Sequence, residues 1–470
     1  MNTIKISAVS LGCPKNLADT ESILSTIKDI QIVSDSDAKY IFLNTCGFLK
    51  SARDEVYENI NKFKKKKVIL LGCLASQFTK EDFQKYPQVY AIVSSANYFK
   101  IDEIFKKVIA GEKVYSVSTE PKTFEKMAQK KVFSSPSFAY IKIAEGCNNA
   151  CSYCYIPYLK GRYRSRKMPE ILSEAKFLIK QGIKELILVA QDCGCYGIDI
   201  YGSQKLPELL KKLSKTSGDF LIRILYVYPE RVSKELLDAI NSSDKICKYL
   251  DIPLQHGDKE ILKKMLRPND PQKILQKISN IRKEISNIIL RTSFIVGFPG
   301  ETEKQFKTLL EFIKKINFDH VGVFEYSREP HTKAYFLKPQ VSEKIKSIRC
   351  EKAMKLQQKI SLEKNKKLIG TTQKVLLEKY DKEANLYVGR SQKFAPEIDG
   401  EIIIKSKLPL KLNDFYDVKI ISATDYDLSA VVLQARSERS ERSAFASFIN
   451  PHKTMGTDSL TLPHNKTLQK

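Results

Sequence analysis

Residues 138–157 read FAYIKIAEGCNNACSYCYIP, an apolar run that opens directly onto three cysteines, Cys147, Cys151 and Cys154. Ala139–Ala144 suits a buried strand, and the loop spacing lets three thiols converge on one centre. Downstream the strand pattern recurs at Leu186–Ala190, Leu221–Val227, Tyr249–Pro253, Arg291–Val296 and Val321–Tyr326. Helical patterns lie between, as in Pro169–Gln181, Pro207–Leu213, Lys234–Ile240 and Glu303–Ile316. Six strand–helix units predict an open, partial parallel barrel whose chemistry sits at the C-terminal strand ends. The cysteine loop leaves the first of those ends.

Residues 1–115 alternate in the same way, with strands expected at Ile4–Leu11, Tyr40–Asn44, Val68–Leu71 and Tyr90–Val93 and helices at Ala18–Ile27 and Ala52–Phe63. That pattern predicts a second parallel sheet with helices on its faces. Cys13, Cys46 and Cys73 each stand just past an apolar strand, in VSLGC, FLNTC and LLGC. The carboxyl ends of parallel strands share one edge, so three strands deliver three thiols to one place. Three buried free cysteines are the plain alternative.

Residues 116–136 read as a polar linker and 137–366 as the barrel domain, which ends in a long basic helix over Val341–Lys367. Ile345, Ile348, Leu356 and Ile360 are expected on one side of that helix. Residues 367–433 change texture, with strands expected at Thr372–Glu378, Leu386–Arg390, Gly400–Ile404 and Asp417–Ala423, a small all-β module. Its Tyr426-Asp427-Leu428 marks the expected end. Residues 434–470, with RSERSERSAFASF, are polar and biased and read as a disordered tail.

The 470 residues carry 79 Lys+Arg against 54 Asp+Glu, a formal charge of +25. At 42% hydrophobic the chain can bury sizeable cores, which excludes wholesale disorder. No apolar run reaches the ~20 residues that cross a bilayer, and the first residues lack a signal-peptide pattern. A cytoplasmic protein without a membrane partner is expected, in which ten cysteines are ligands or reactive groups rather than disulfides. Lys64–Lys67, Lys160–Lys167 and the basic helix suit either solvated faces or phosphate contacts, so the charge implies only an anionic partner.

Zinc at Cys147, Cys151 and Cys154 would want a fourth ligand, and none lies close in sequence. An iron–sulfur cube on three cysteines keeps one iron open to a small molecule. A zinc knuckle completed from a distant residue, or unlinked thiols, remain the alternatives.

CxxxCxxC with Tyr153 before the last cysteine, followed by six strand–helix units, resembles the radical S-adenosylmethionine enzymes. The resemblance implies a [4Fe–4S] cluster on these cysteines whose open iron chelates the cofactor, and a 5′-deoxyadenosyl radical that takes hydrogen from carbon. RTSFIVGFPGETEKQF (Arg291–Phe306) resembles the strand and turn that line the cofactor's adenine side, which implicates Gly297, Gly300 and Glu301. The alternative for Glu301 is a cap on the helix beginning near Thr302. Gln191 and Asp192 occupy the place where the family contacts the methionyl group. Arg223 and the PLQHG run (Pro253–Gly257) are cleft candidates, and His256 alone reads as a core histidine.

Cys13, Cys46 and Cys73 in front of such a domain, with the β module behind it, resemble the RimO-type methylthiotransferases with a C-terminal TRAM domain. The likeness covers roughly residues 3–432. It implies a second [4Fe–4S] cluster, on which sulfur is held, methylated by a second S-adenosylmethionine and inserted into substrate. SLGCPKNLADTES and NTCGFLKSA resemble the branch acting on an aspartate β-carbon of the twelfth small-subunit ribosomal protein, whereas KGRYRSRK leans toward the transfer-RNA branch. The partners so implied are that protein or the assembled small subunit, ribosomal RNA beside it, and an external electron donor such as flavodoxin. A transfer-RNA-modifying enzyme, a non-catalytic iron–sulfur RNA-binding protein and a zinc-stabilised assembly factor are the other readings. Cys193, Cys195, Cys247 and Cys350 match nothing in the pattern and are expected to be incidental.

Overall fold

The computed structural model describes residues 3–47, 49–118, 130, 132–267, 269–406 and 408–433. The tail expected beyond 433 and most of the expected linker lie outside the described residues.

The N-terminal unit is a six-stranded, all-parallel sheet. Its spatial order is Ile30–Ile32, Ile4–Ser10, Tyr40–Thr45, Lys67–Gly72, Val89–Val93, Val114–Ser116. Tyr40–Thr45 is buried along its whole length, as a central strand covered on both faces must be. The alternating cores show why: Ile6, Phe42, Ile69 and Leu71 face one helical layer, Val9, Ile41, Leu43 and Leu70 the other. The edge strands Ile30–Ile32 and Val114–Ser116 were not expected. Each has only three residues, too few for an alternation to stand out.

All six expected barrel strands form, as Phe138–Lys142, Glu185–Val189, Leu221–Ile224, Tyr249–Asp251, Ile289–Val296 and His320–Glu325. They pair in parallel as two three-stranded halves. The halves meet where Val227 donates to the Asp251 carbonyl at 2.9 Å, which leaves an open barrel.

The C-terminal module closes into a five-stranded barrel. Its fifth strand, Leu428–Val432, begins where the module was expected to end and pairs with both Ile402–Lys405 and Phe415–Ala423. The loop after Leu386–Arg390 enters the large barrel from the end opposite the cysteine loop. Ala395 packs among Tyr140, Ile187, Val189, Leu225 and Tyr249. Asp399 accepts a hydrogen bond from the Tyr249 hydroxyl at 2.7 Å, and Tyr140 donates to Glu397 at 3.1 Å.

The long helix spans Glu343–Lys366, and of its expected apolar side only Leu356 and Ile360 pack against the core. Ile345 and Ile348 are exposed, while Lys346, Arg349, Ala353, Gln357, Ser361 and Asn365 face inward. The inward polar groups are bonded: Gln357 donates to the Phe318 carbonyl, Ser361 to that of Asp319 and Asn365 to that of Thr424. The helix thus clamps barrel to module by satisfying carbonyls as well as by the apolar contacts of Met354, Leu356 and Ile360 with the barrel core.

Candidate active site

Ile4–Ser10, Tyr40–Thr45 and Lys67–Gly72 are neighbours in the sheet, with Ser10 beside Asn44 and Thr45 beside Gly72. Cys13, Cys46 and Cys73 therefore leave three adjacent strand ends. The turns that carry them touch. Gly12 has φ +87°, and a Cβ there would lie 2.6 Å from Cys46 Cβ and 3.0 Å from its Sγ. Gly72 has φ +95°, and a Cβ would lie 2.2 Å from the Thr45 carbonyl oxygen. Only glycine meets both demands. Asn16 buttresses the turns from the helix Pro14–Thr26, donating to the Leu11 carbonyl at 2.9 Å and the Thr45 carbonyl at 3.2 Å. Asn44 in turn donates to the Asn16 carbonyl and to Thr20 Oγ1.

Burial pushes the Cys73 thiol above its ordinary value, and the Lys160 ammonium opposes that shift. Lys160 was read as part of a solvated basic run. It is instead buried, and desolvation of its ammonium is outweighed by Cys73, Glu145, Asp19 and Tyr98, which raise its pKa. Lys15, in the first turn of the helix that Cys13 precedes, has its ammonium 4.3 Å from the Tyr226 ring centre.

Cys147, Cys151 and Cys154 lie in a loop fixed at several points. Cys147 N–H donates to the Gly161 carbonyl at 3.1 Å, Cys154 N–H to that of Cys151 and Ser152 N–H to that of Met265. The short helix Ile156–Lys160 bridges Cys154 to Gly161. Donors face the sulfurs. Asn149 N–H and Nδ2 both stand 3.4 Å from Cys147 Sγ. The Tyr228 hydroxyl is 3.3 Å and Arg267 Nη1 3.8 Å from Cys151 Sγ, with that guanidinium 3.8 Å over the Tyr228 ring. Burial pushes the Cys154 thiol up to about 12, so a metal must displace its proton on binding.

Among the described residues, no three His, Cys, Asp or Glu side chains stand close enough to hold a single ion. A four-iron cluster spans a wider triangle of thiolates, and either cysteine set offers the three thiols it needs. Gln191, at the next strand end, has a buried Oε1 without a hydrogen-bond partner among the described residues, an acceptor open to an amine-bearing ligand.

The other expected contacts divide. Asp192 is fully buried and committed to protein: Oδ1 accepts from Gly194 N–H at 3.0 Å, and Oδ2 from Asn149 Nδ2 at 3.4 Å and the Cys195 thiol at 3.2 Å. It orders the cysteine loop through Asn149. Glu301 does not cap the next helix, where Thr302 and Gln305 form the capping box. Glu301 Oε2 instead accepts from Gly297 N–H at 2.9 Å, and Oε1 from Arg349 at 2.8 Å. His256 Nε2 faces Oε2 at 3.3 Å, while its Nδ1 accepts from Asp258 N–H. The space beside Gly297 and Gly300 is filled by the Lys346 and Lys264 side chains. Tyr153 packs against Ile261, Met265, Phe298 and Tyr326.

Arg223 corrects an expectation. It is sealed at the barrel's module side, with Nε on Glu185 at 2.6 Å and Nη1 on the Gln392 carbonyl at 3.0 Å. Arg390 meets the same Glu185 at 2.8 Å and Glu378 at 2.7 Å. Glu185 opens its strand, so this chain of charges lies at the end opposite the cysteines and docks the small barrel. Cys193, Cys247 and Cys350 sit in or against the core, as expected of incidental thiols. Sequence reasoning missed Asn149, Tyr228, Arg267 and Tyr98. Asn149 alone carried a signal, its place inside the cysteine loop.

Three family models match: the radical SAM superfamily over residues 141–313, the TRAM domain over 369–433, and the uncharacterized protein family UPF0004 over 5–94. A curated relative from Thermoanaerobacter sp. (strain X514), ribosomal protein uS12 methylthiotransferase RimO, is 43% identical over 432 residues, which span 90% of this chain and 98% of that protein. Its counterparts in Acetivibrio thermocellus and Clostridioides difficile are each 42% identical, over 92% of this chain and 99% of theirs. The chain belongs to the RimO family of methylthiotransferases.

The family assignment embraces the whole described chain, including the sheet that carries Cys13, Cys46 and Cys73. Among solved structures, the radical S-adenosylmethionine methyltransferase TsrM from Kitasatospora setae shares the fold, with TM-score 0.51 and 13% identity over 71% of this chain and 74% of that one. No helix among the described residues is long and apolar enough to cross a membrane.

Proposed function

We infer that this RimO-family chain is a radical S-adenosylmethionine methylthiotransferase that adds a methylthio group to an aspartate β-carbon of ribosomal protein uS12. The observation that carries the reading is the pairing of two three-thiol sites, one in the barrel loop and one on three adjacent strand ends, within a chain so similar to RimO proteins. Cys147, Cys151 and Cys154 would hold one [4Fe–4S] cluster, which would bind S-adenosylmethionine. Cys13, Cys46 and Cys73 would hold a second. When bound, these groups supply the hydrogen-abstracting radical and the place where sulfur awaits transfer.

The protein's own part is positioning. Asn149, Tyr228 and Arg267 place polar hydrogens around the Cys147 and Cys151 sulfurs. Asp192 holds Asn149, and Gln191 presents an acceptor toward the cofactor's amino group. Glu301 holds the Gly297 turn at the cofactor's adenine side. Burial of Cys73, Cys147 and Cys151 keeps bulk water from reactive sulfur. The electron comes from outside, from a donor of the flavodoxin class. The TRAM module and the basic surface favour approach to ribosomal RNA beside the target protein.

Anaerobic reconstitution tests this. About eight irons per chain are expected, as two four-iron clusters require. Cys147→Ala should abolish 5′-deoxyadenosine formation. Cys46→Ala should spare cleavage and stop methylthiolation of uS12, read by mass spectrometry. Retained zinc with no cofactor cleavage, or modification of transfer RNA in place of uS12, would reject the reading.

A further inference from the structure

Lys160 belongs by sequence to the Cys147–Cys154 loop but by position to the other site. It ends the helix Ile156–Lys160, and the next residue, Gly161, gives its carbonyl to Cys147 N–H at 3.1 Å. Its side chain runs inward to 5% exposure. There Cys73, Glu145, Asp19 and Tyr98 are all near enough to act on its charge.

Four charges surround the point. Lys160 Nζ stands 2.8 Å from Glu145 Oε1 and 3.9 Å from Asp19 Oδ2, and Lys142 faces the same two carboxylates, with Glu145 at 3.2 Å. Two ammoniums and two carboxylates balance, so the set is neutral before any anion enters. The Glu145 contact lies outside hydrogen-bond geometry, and Lys160 Nζ has no hydrogen-bond partner among the described residues. The Tyr98 hydroxyl is in the same condition: 6% exposed, unpartnered among the described residues, and under the influence of Lys160, Asp19 and Cys73. Tyr98 follows Val89–Val93, the strand beside the one that delivers Cys73. Two buried donors without a hydrogen-bond partner among the described residues, at the sheet edge that delivers Cys73, are what an unfilled anion site looks like.

We propose that Lys160 and Tyr98 donate to the sulfur atoms of a cluster held by Cys13, Cys46 and Cys73, and thereby set how readily that cluster is reduced. The proposal rests on the reading of those cysteines as ligands. A four-iron cluster on three thiolates carries net negative charge and presents sulfur acceptors, and reduction adds more charge. A cation and a hydroxyl donor favour the reduced form, because hydrogen bonds to sulfur and local charge set such potentials. Lys160 is then a positioning residue through which the loop of one centre adjusts the other.

The test uses the full chain carrying Cys147→Ala, Cys151→Ala and Cys154→Ala, so that one cluster remains. Iron is counted, and the midpoint potential and electron paramagnetic resonance signal are followed in an anaerobic redox titration. With about four irons retained, Lys160→Met and Tyr98→Phe should each shift the midpoint to more negative values, and Lys160→Arg should return it toward the parent. Tyr98→Phe removes one oxygen and leaves the four charges in place, so it decides the matter even where Lys160→Met does not fold. An unshifted midpoint and unaltered signal in Tyr98→Phe, and in Lys160→Met where it folds, with iron intact, would overturn the proposal alone. Absence of any cluster in the parent triple variant would overturn the ligand reading and the proposal with it.

Discussion

Replacing Glu301 by Gln or Ala isolates what the buried Glu301–Arg349–His256 set does for the cofactor turn. Glu301 accepts from two groups, Gly297 N–H at 2.9 Å and Arg349 Nη1 at 2.8 Å, with His256 Nε2 facing it at 3.3 Å. Its side chain is fully buried and that of Arg349 is 7% exposed, so solvent cannot screen the loss. Breaking a buried ion pair from one side costs about 3–5 kcal/mol. Gln keeps one oxygen, for Gly297 N–H or for the guanidinium but not both, and loses the charge, so about 3 kcal/mol is expected for Glu301→Gln. Ala also strands the Gly297 N–H, which adds about 1–3 kcal/mol. At roughly 2–4 °C per kcal/mol for a domain of this size, Glu301→Gln should lower Tm by about 6–12 °C and Glu301→Ala by more. Thermal unfolding followed by circular dichroism measures this, and anaerobic titration calorimetry should show weaker S-adenosylmethionine binding in the folded Gln variant. If both variants melt within a degree of the parent, the set does not hold the turn. If Gln melts early but binds the cofactor unchanged, it holds the fold and not the site.

Two further outcomes follow from other parts of the molecule. Gly72→Ala places a Cβ 2.2 Å from the Thr45 carbonyl oxygen, a backbone atom that cannot swing away. Iron per reconstituted chain should fall by about half while the Cys147 cluster and its cofactor cleavage persist, and full iron in Gly72→Ala would show that the strand ends relax without penalty. Burial pushes the Glu185 carboxyl up, but Arg223 and Arg390 outweigh it and hold the group below its ordinary 4.5. Its contribution to stability is therefore present above pH 4.5 and lost as pH falls through the lower folded-state value. Glu185→Gln should lower Tm at pH 7 and the gap to the parent should narrow below about pH 4.5, whereas a gap independent of pH would exclude charge as its cause.

The parallel sheets were legible because their strands are buried on both faces and read as apolar runs, as in Tyr40–Thr45 and Glu185–Val189. The three-residue edge strands were not, since a strand that short carries no period. The long helix misled for a different reason. Its apolar residues Ile345 and Ile348 are exposed, and the buried stripe is polar because Arg349, Gln357, Ser361 and Asn365 satisfy carbonyls and a carboxylate on the elements it crosses. Periodicity ranks residues by hydrophobicity and has no means of knowing which carbonyls lack a partner.

The six candidate ligand cysteines were readable because spacing in one loop, and position after parallel strands, are both local facts that sheet topology turns into proximity. What holds the sulfurs was not. Arg267 and Tyr228 reach Cys151 from 116 and 77 residues away, and Lys160 turns from an apparent surface lysine into a neighbour of Cys73. Arg223 shows the same limit from the other side: the sequence offers a charged residue on a barrel strand, and only packing reveals that Glu185 and the small barrel consume it. The sequence by itself determined the strand order's chemistry, which is to say where thiols emerge. The tertiary structure decided which buried charges face them, because a charge is committed by whatever neighbour desolvates it, and that neighbour is set by the fold and not by the chain's order.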